Sequence, residues 1–123
     1  MADVEYDQKG QYEQILPWIL ENERLYAVYD CKGAGTGFLG ITNKRIVFYD
    51  KAFMRKRKAL VSVPFSKITS VGSVDEGRGL WGATSELVIK TGSEEFEFEF
   101  RGGDKAQRAY RFIMSELLQN EKA

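Results

Sequence analysis

The chain contains no histidine, and a single cysteine, among its 123 residues. Without imidazole it lacks the commonest general base and the commonest metal ligand, so a histidine-dependent triad or zinc site within the chain is excluded. Catalysis would fall to Asp, Glu, Lys, Tyr or Cys. Cys31 has no histidine to activate it, and the expected role is that of a small residue near a strand end. One cysteine also forms no intrachain disulfide, which makes a reducing, cytoplasmic setting the simplest reading. An excess of either charge is missing too: 18 Lys and Arg balance 18 Asp and Glu. That balance argues against attraction of the whole protein to nucleic acid. No apolar run approaches the roughly 20 residues of a membrane-spanning helix. The opening MADVEYDQKG lacks a basic start followed by an apolar core, so no secretory signal is expected.

What is present suits one domain of ordinary size with a real core, since 43% of the residues are hydrophobic. The organising stretch is Gly37 to Asp50, GFLGITNKRIVFYD. It reads as two strands joined by the polar turn Thr42-Asn43-Lys44-Arg45. Phe38, Leu39 and Ile41 precede the turn; Ile46, Val47, Phe48 and Tyr49 follow it as a β-branched and aromatic run. Asn43 tolerates the left-handed backbone that a short hairpin needs.

Residues 1–9 are polar and read as a flexible N-terminus. Residues 10–22 read as an N-terminal helix, with Tyr12, Ile15, Leu16 and Ile19 at helical spacing and Leu20 beside them. Pro17 makes this either two short helical pieces or a helix beginning near the proline. Trp18 is either a packing anchor or an exposed contact. Leu25 to Asp30 is the first strand. The glycines of residues 32–37 form a permissive connection without the Gly-Lys-Ser/Thr ending of a phosphate loop. Residues 59–65 and 68–74 have strand character, and Pro64 marks an edge or a strand end. Residues 75–84 form a glycine-rich loop with Leu80 and Trp81 at its tip, followed by a short strand over 86–90. From Glu95 to Phe100 the sequence alternates strictly, placing Phe96, Phe98 and Phe100 on one face and Glu95, Glu97 and Glu99 on the other. Asp104 is positioned as a helix N-cap with Gln107 at capping-box spacing. Ala106, Ala109, Tyr110, Ile113 and Leu117 then share a helical face, widened by Phe112, Met114 and Leu118.

About seven short strands before one amphipathic helix indicate a mainly β fold: a small antiparallel barrel or sandwich with the helix over one open mouth. In that order of elements the chain resembles the pleckstrin-homology-like superfold, and more narrowly the bacterial PH-domain families and the related GRAM domains. The resemblance is carried by Gly40-Ile41-Thr42-Asn43-Lys44-Arg45-Ile46-Val47-Phe48-Tyr49, by Val63-Pro64-Phe65-Ser66-Lys67-Ile68-Thr69-Ser70-Val71, and by the lead-in Leu20-Glu21-Asn22-Glu23-Arg24 before the first strand. It implies a seven-stranded antiparallel PH-like domain over residues 23–120 with a C-terminal helix, preceded by an extra N-terminal helix. Eukaryotic PH domains often bind phosphoinositides through basic residues near the first hairpin loop. Here Lys32 precedes that loop's glycines and Lys44 and Arg45 come one turn later, but Ile46 directly after Arg45 breaks the usual basic pattern. Some bacterial relatives form homo-oligomeric rings, so the resemblance also implies self-assembly.

Two stretches carry candidate binding residues. Five of the eight residues from Lys51 to Lys58 are basic: Lys51, Arg55, Lys56, Arg57 and Lys58, with Phe53 and Met54 among them. Such a loop attracts anionic lipid at about 1 kcal/mol per charge while its apolar residues insert shallowly; the alternative is a solvated loop. Nucleic acid is disfavoured because no aromatic stacking platform accompanies the patch. Leu80 and Trp81 form either a partner contact or a plug for the barrel end, and Trp18 is a further partner contact. The Glu95, Glu97, Glu99 stripe reads as a solvated face neutralised by basic side chains of a neighbouring strand or subunit. Its carboxylates stand about 7 Å apart, too far to share one cation without a neighbouring strand's help. The expectation is a non-catalytic, cofactor-free and metal-free binding module acting through protein contacts and homo-oligomer assembly. The alternative is peripheral binding to anionic membranes through residues 51–58.

Overall fold

The computed structural model describes residues 4–33, 37–50, 59–79 and 82–121. The elements in chain order are β1 (Glu5–Tyr6), α1 (Lys9–Ile15), a 3-10 turn (Leu16–Trp18), β2 (Leu25–Gly33), β3 (Gly37–Thr42), β4 (Arg45–Asp50), β5 (Ala59–Pro64), a second 3-10 turn (Phe65–Lys67), β6 (Ile68–Gly79), β7 (Gly82–Thr91), β8 (Glu95–Arg101) and α2 (Lys105–Glu121). Seven strands form one antiparallel sheet in the order β5-β4-β3-β2-β8-β7-β6. β5 and β6 lie at opposite ends of that order, yet only Phe65–Lys67 joins them. From Pro64 to Ile68 the chain reaches at most about 14 Å. Six strand spacings would separate β5 and β6 by about 29 Å in a flat sheet. The sheet therefore curls into a half-barrel, and α2 packs its buried Ala106, Ala109 and Ile113 into the core.

Burial explains the two kinds of strand sequence. β8 has one face on the core: Phe96, Phe98 and Phe100 are buried and Glu95 and Glu97 exposed, the alternation expected of a half-solvated strand. β3 and β4 are buried on both faces, so their sequences run apolar without alternating. Leu39, Ile41, Ile46 and Phe48 face the main core. Phe38 and Val47 face a second cluster built with Ile15, Leu25 and Val28. α1 covers that outer face. Its Ile15 methyl occupies the space a Cβ at Gly40 would need, so the missing side chain there admits the helix. Gln11 Nε2 donates to Asp30 Oδ1 (2.9 Å) and to the Gly37 carbonyl (2.7 Å), stitching α1 to β2 and β3.

Several expectations change. Part of the N-terminal stretch expected to be flexible is strand: Glu5 and Tyr6 pair in parallel with Ala27 and Val28. β8 pairs with β2 only at Cys31, Lys32 and Gly33, so β1 fills the edge left along the first half of β2. Polar side chains fasten β1, because Glu5 accepts from the Tyr29 hydroxyl and Arg108 (both 2.5 Å) and Asp7 pairs with Lys105 (2.6 Å). The N-terminal segment resolves into two short pieces, α1 and the Leu16–Trp18 turn, with Pro17 in the first turn of the second. Asn43 is not left-handed; among the described residues Asn22 is the non-glycine residue with positive φ, at 69°. The β3–β4 turn is held instead by Thr42 Oγ1, which accepts the amides of Lys44 and Arg45 (both 3.0 Å). At α2, Asp104 pairs with Arg108 (3.1 Å) and the Ala106 amide is satisfied by Ser85 Oγ (3.0 Å) from β7. Pro64 does end β5, which is an edge strand.

Phe98 is fully buried with its ring 5.0 Å from that of Phe48. Phe98→Ala is expected to destabilise the protein by about 3–5 kcal/mol in equilibrium urea unfolding. Glu97→Gln, one residue away on the solvent face, should change stability by less than about 0.5 kcal/mol.

Candidate interaction surface

The segment between α1 and β2 is short and polar, yet it is tightly held. Leu20 and Glu23 close a turn through Asn22. The Glu23 amide donates to the Leu20 carbonyl (3.1 Å) and the Leu20 amide to Glu23 Oε1 (2.9 Å). The Glu23 carboxylate then receives a two-point ion pair from Arg45 of β4, Nε to Oε2 at 2.7 Å and Nη2 to Oε1 at 2.9 Å. Thr42, fully buried at the end of β3, adds its hydroxyl to Oε2 (2.8 Å). The remaining guanidinium donors reach Ser62 Oγ on β5 (2.7 Å) and the Trp18 carbonyl (2.6 Å). Asn43 completes the join, accepting the Arg24 amide at Oδ1 (2.8 Å) while its own amide donates to the Arg24 carbonyl (2.9 Å). Burial would raise the Glu23 carboxyl. The hydrogen bonds from Arg45, the Leu20 amide and Thr42, with the charge of Arg45, outweigh it and hold the group at about 2.

This latch fixes a backbone that displays apolar side chains. Ile19 is extended and turns into the outer cluster beside Ile15. Its neighbours Trp18 and Leu20 are 50% and 66% exposed, and Leu16 is 43% exposed. Trp18 therefore takes the exposed of its two expected roles. Leu16 does not continue the apolar face of α1: the helix gives way at Ile15 to the tighter turn containing Pro17, and the change of period carries Leu16 outward. The sequence singled out Trp18 and counted Leu16 and Leu20 with the helix. The available signal was the proline, which shifts the spacing of everything after it. Three large apolar side chains on a braced backbone form a surface that a protein partner can cover with little ordering cost.

The other sequence candidates are placed less directly. Lys51, Phe53, Met54, Arg55, Lys56, Arg57 and Lys58 lie outside the described residues, as do Leu80 and Trp81. The strands flanking residues 51–58 pair at Asp50 and Ala59, on the same end of the β2–β5 layer as the Cys31–Gly37 pair that precedes the β2–β3 connection. Exposed Lys32 stands at that end. β6 and β7 pair as far as Gly79 and Gly82, leaving Leu80 and Trp81 as the connecting residues. On β8, Glu95 faces Lys90 of β7 at 3.5 Å, both about half exposed, a pair worth little in water.

For chemistry the fold offers less. Cys31 is buried, and burial pushes its thiol well above the ordinary range, with the carboxylates of Asp30 and Asp7 adding to the effect. A groove of about 490 Å³ along α2 is floored by the stacked rings of Tyr26 and Phe112. Four of its titratable groups are engaged in pairs: Tyr26 donates to Glu116 (2.6 Å) and Arg108 to Glu5. Burial, then that hydrogen bond and the Glu116 charge, push the Tyr26 phenol up to about 12. Among the described residues no group of acidic or cysteine side chains converges as metal ligands would, and no helix is long and apolar enough to cross a membrane.

Comparison with known proteins adds family and fold. The family model described as bacterial PH domain matches residues 19–115. The chain is 33% identical over 82 residues to the uncharacterised protein YozO of Bacillus subtilis (strain 168), covering 67% of this chain and 68% of that protein. Among solved structures, a pleckstrin homology domain from Shewanella amazonensis SB2B superposes with a TM-score of 0.63 at 19% identity, over 91% of this chain and 99% of the other. A DUF1696 family protein with a pleckstrin-homology domain from Shewanella loihica PV-4 does so with a TM-score of 0.56 at 19% identity, over 93% and 96%.

The depressed Glu23 carboxyl sets a pH dependence. The unfolded chain takes up a proton near the ordinary value of 4.5, while the folded chain resists until about pH 2. The stabilisation is complete above about pH 4.5 and is lost as pH falls through that window. Glu23→Gln keeps the shape and removes the charge. It is expected to cost about 3 kcal/mol at pH 7, and the gap between the parent and this variant should close between pH 4.5 and 2 in urea unfolding series.

Proposed function

The chain belongs to the bacterial PH domain family, and from that premise we propose that it is a non-catalytic binding module acting through protein contacts and self-assembly, with Leu16, Trp18 and Leu20 as its contact surface. A fold of this kind does not name a ligand; the site must. One observation carries the reading: three large apolar side chains are exposed within five residues, on a backbone braced by Arg45 and Glu23. A loose segment with the same residues would lose binding energy to ordering; this one is already ordered. Tryptophan at such a position is the residue type that most often dominates an interface. Leu80 and Trp81, at the β6–β7 connection, are a second assembly candidate. The setting that fits a single buried thiol is cytoplasmic.

A second reading has its own support. The basic run of residues 51–58, with Phe53 and Met54, leaves the β4–β5 end on the same side of the layer as exposed Lys32. An anionic membrane surface would meet that end peripherally.

The two are separated by light scattering and vesicle flotation on the same samples. Under the first reading the parent exceeds its 14.0 kDa monomer mass at micromolar concentration. Trp18→Ala and Leu20→Ser then raise the apparent dissociation constant by roughly 30-fold or more, as loss of a hot spot does. A parent that stays monomeric at all concentrations, and neither variant of which alters capture of a protein partner, would sink it. If the parent instead floats with anionic but not neutral vesicles, more weakly in salt, and Arg55→Glu/Arg57→Glu does not, the membrane reading replaces it.

A further inference from the structure

β1 is attached unlike the strands of the barrel. It has two residues, Glu5 and Tyr6, and its strand partner among the described residues is β2 alone. The Asp7 amide extends the main-chain hold by donating to the Val28 carbonyl (3.2 Å). Apolar support is slight. The Tyr6 ring stacks on Tyr12 of α1 with centroids 4.9 Å apart, yet Tyr6 stays 44% exposed. Val4 rests against the outer cluster as a partly buried residue. β2, β3 and β4, by contrast, each place fully buried side chains in a core.

What holds β1 is mostly charge, and it comes from the first turns of α2. The Glu5 carboxylate accepts from the Tyr29 hydroxyl and from Arg108 (both 2.5 Å). Asp7 takes Lys105 Nζ on Oδ1 (2.6 Å) and the Asp30 amide on Oδ2 (3.0 Å). The same ammonium stands 4.9 Å from the centre of the Tyr29 ring, and Arg108 also reaches Asp104 (3.1 Å). Both ion pairs are partly open to water, the Lys105 and Asp7 side chains at 20% and 25% exposure and those of Arg108 and Glu5 at 48% and 36%. Pairs in that setting contribute little and are screened by salt. Tyr29 itself is fully buried and fixed. With the two cations its hydroxyl makes a receptacle for two carboxylates, which the chain fills with its own.

We infer that residues 4–7 form a strap that opens while the barrel stays folded, and that a polycarboxylate anion opens it by taking Lys105, Arg108 and the Tyr29 hydroxyl from Glu5 and Asp7. Segments with few buried apolar contacts open locally at far lower cost than a core. The competing ligand is specified by what it displaces: two carboxylates two residues apart on extended chain, about 7 Å from one another. Opening uncovers the first half of the β2 edge together with the Tyr29 hydroxyl, so occupancy of the anion receptacle is transmitted to the sheet. The strap shares no residue with the Leu16–Trp18–Leu20 surface and stands or falls apart from it.

The test is amide hydrogen exchange on the full chain at neutral pH, read at Asp7 and Asp30, whose amides are bonded across the strap, and over Phe96 to Phe100 in β8. The two strap amides should exchange about a hundredfold faster than β8 or more. Glu5→Gln and Arg108→Gln, each of which removes one charge of a pair, should speed the strap amides by about threefold to tenfold. Circular dichroism verifies that both variants fold. At equal ionic strength, citrate should speed the strap amides more than chloride does in the parent without speeding β8, because it binds the open strap and not the unfolded chain. In the doubly substituted Lys105→Gln/Arg108→Gln chain citrate and chloride should act alike. The inference is overturned if the strap amides exchange in step with β8, if the single variants leave them unchanged, or if citrate acts as chloride does in the parent. A citrate effect of equal size in the doubly substituted chain overturns it too, since the anion then acts elsewhere.

Discussion

The ion pair between Arg45 and Glu23 joins parts of the chain that otherwise share no regular hydrogen-bonding pattern. Arg45 opens β4, Glu23 precedes β2, and the same guanidinium reaches Ser62 on β5 and the backbone of Trp18. Because the carboxylate is nearly fully buried, it needs Nε and Nη2 of Arg45, the Leu20 amide and the Thr42 hydroxyl. A half-satisfied charge there would cost more than an apolar replacement. Thr42 meets that demand from β3 while accepting the two amides that shape the β3–β4 turn. One network therefore sets the turn, the lead-in to the first long strand and the position of the N-terminal segment. Thr42, Asn43, Arg45 and Glu23 are also residues by which the family resemblance is recognised. Their role in the fold is structural: they mark how the barrel is tied.

A second constraint is geometric. A three-residue connection between strands at opposite ends of the sheet forces the sheet to curl, and curling creates the mouth into which α2 packs. It also makes the two halves of the sheet unequal. The layer of β2 to β4 is covered inside by the main core and outside by α1, with Gly40 giving Ile15 its place. β8 is covered on one face alone, which leaves its glutamates in water. The acidic stripe follows from that exposure, and Lys90 beside Glu95 offsets it only slightly.

Exposed apolar side chains and an open sheet edge lie where these constraints leave something over. The latch holds the chain from Leu16 to Leu20 so firmly that Ile19 alone turns inward and its apolar neighbours stay in solvent. The incomplete closure of the barrel leaves β6 with an open edge beside α2. Among the described residues neither surface brings together a nucleophile, a base and an anion-binding site. The buried thiol of Cys31 and the Tyr26–Glu116 pair along α2 are settled parts of the scaffold.

Local pattern determined a good deal by itself. The strict alternation of Phe96 to Phe100 could only be a half-buried strand, Pro64 could only end or edge one, and the apolar stripe of Ala106, Ala109 and Ile113 could only be a helix packed on something. These are one-dimensional signals, because the period of the backbone is written directly into the order of residues. Tertiary structure decided whatever depends on a partner distant in sequence. Asn43 had the composition of a left-handed turn residue, but Arg24, nineteen positions earlier, uses its side chain instead. Asp104 had the position of a helix cap, but Ser85 on β7 takes the Ala106 amide. Polar residues 5 and 6 looked unstructured until the divergence of β8 from β2 left an edge for them to pair with. Trp18 could pack or project, and only the reach of Arg45 to its carbonyl, together with the inward turn of Ile19, put it in solvent. In each case the residue offered more than one favourable interaction, and the choice was made by which partner the folded chain brought within hydrogen-bonding distance.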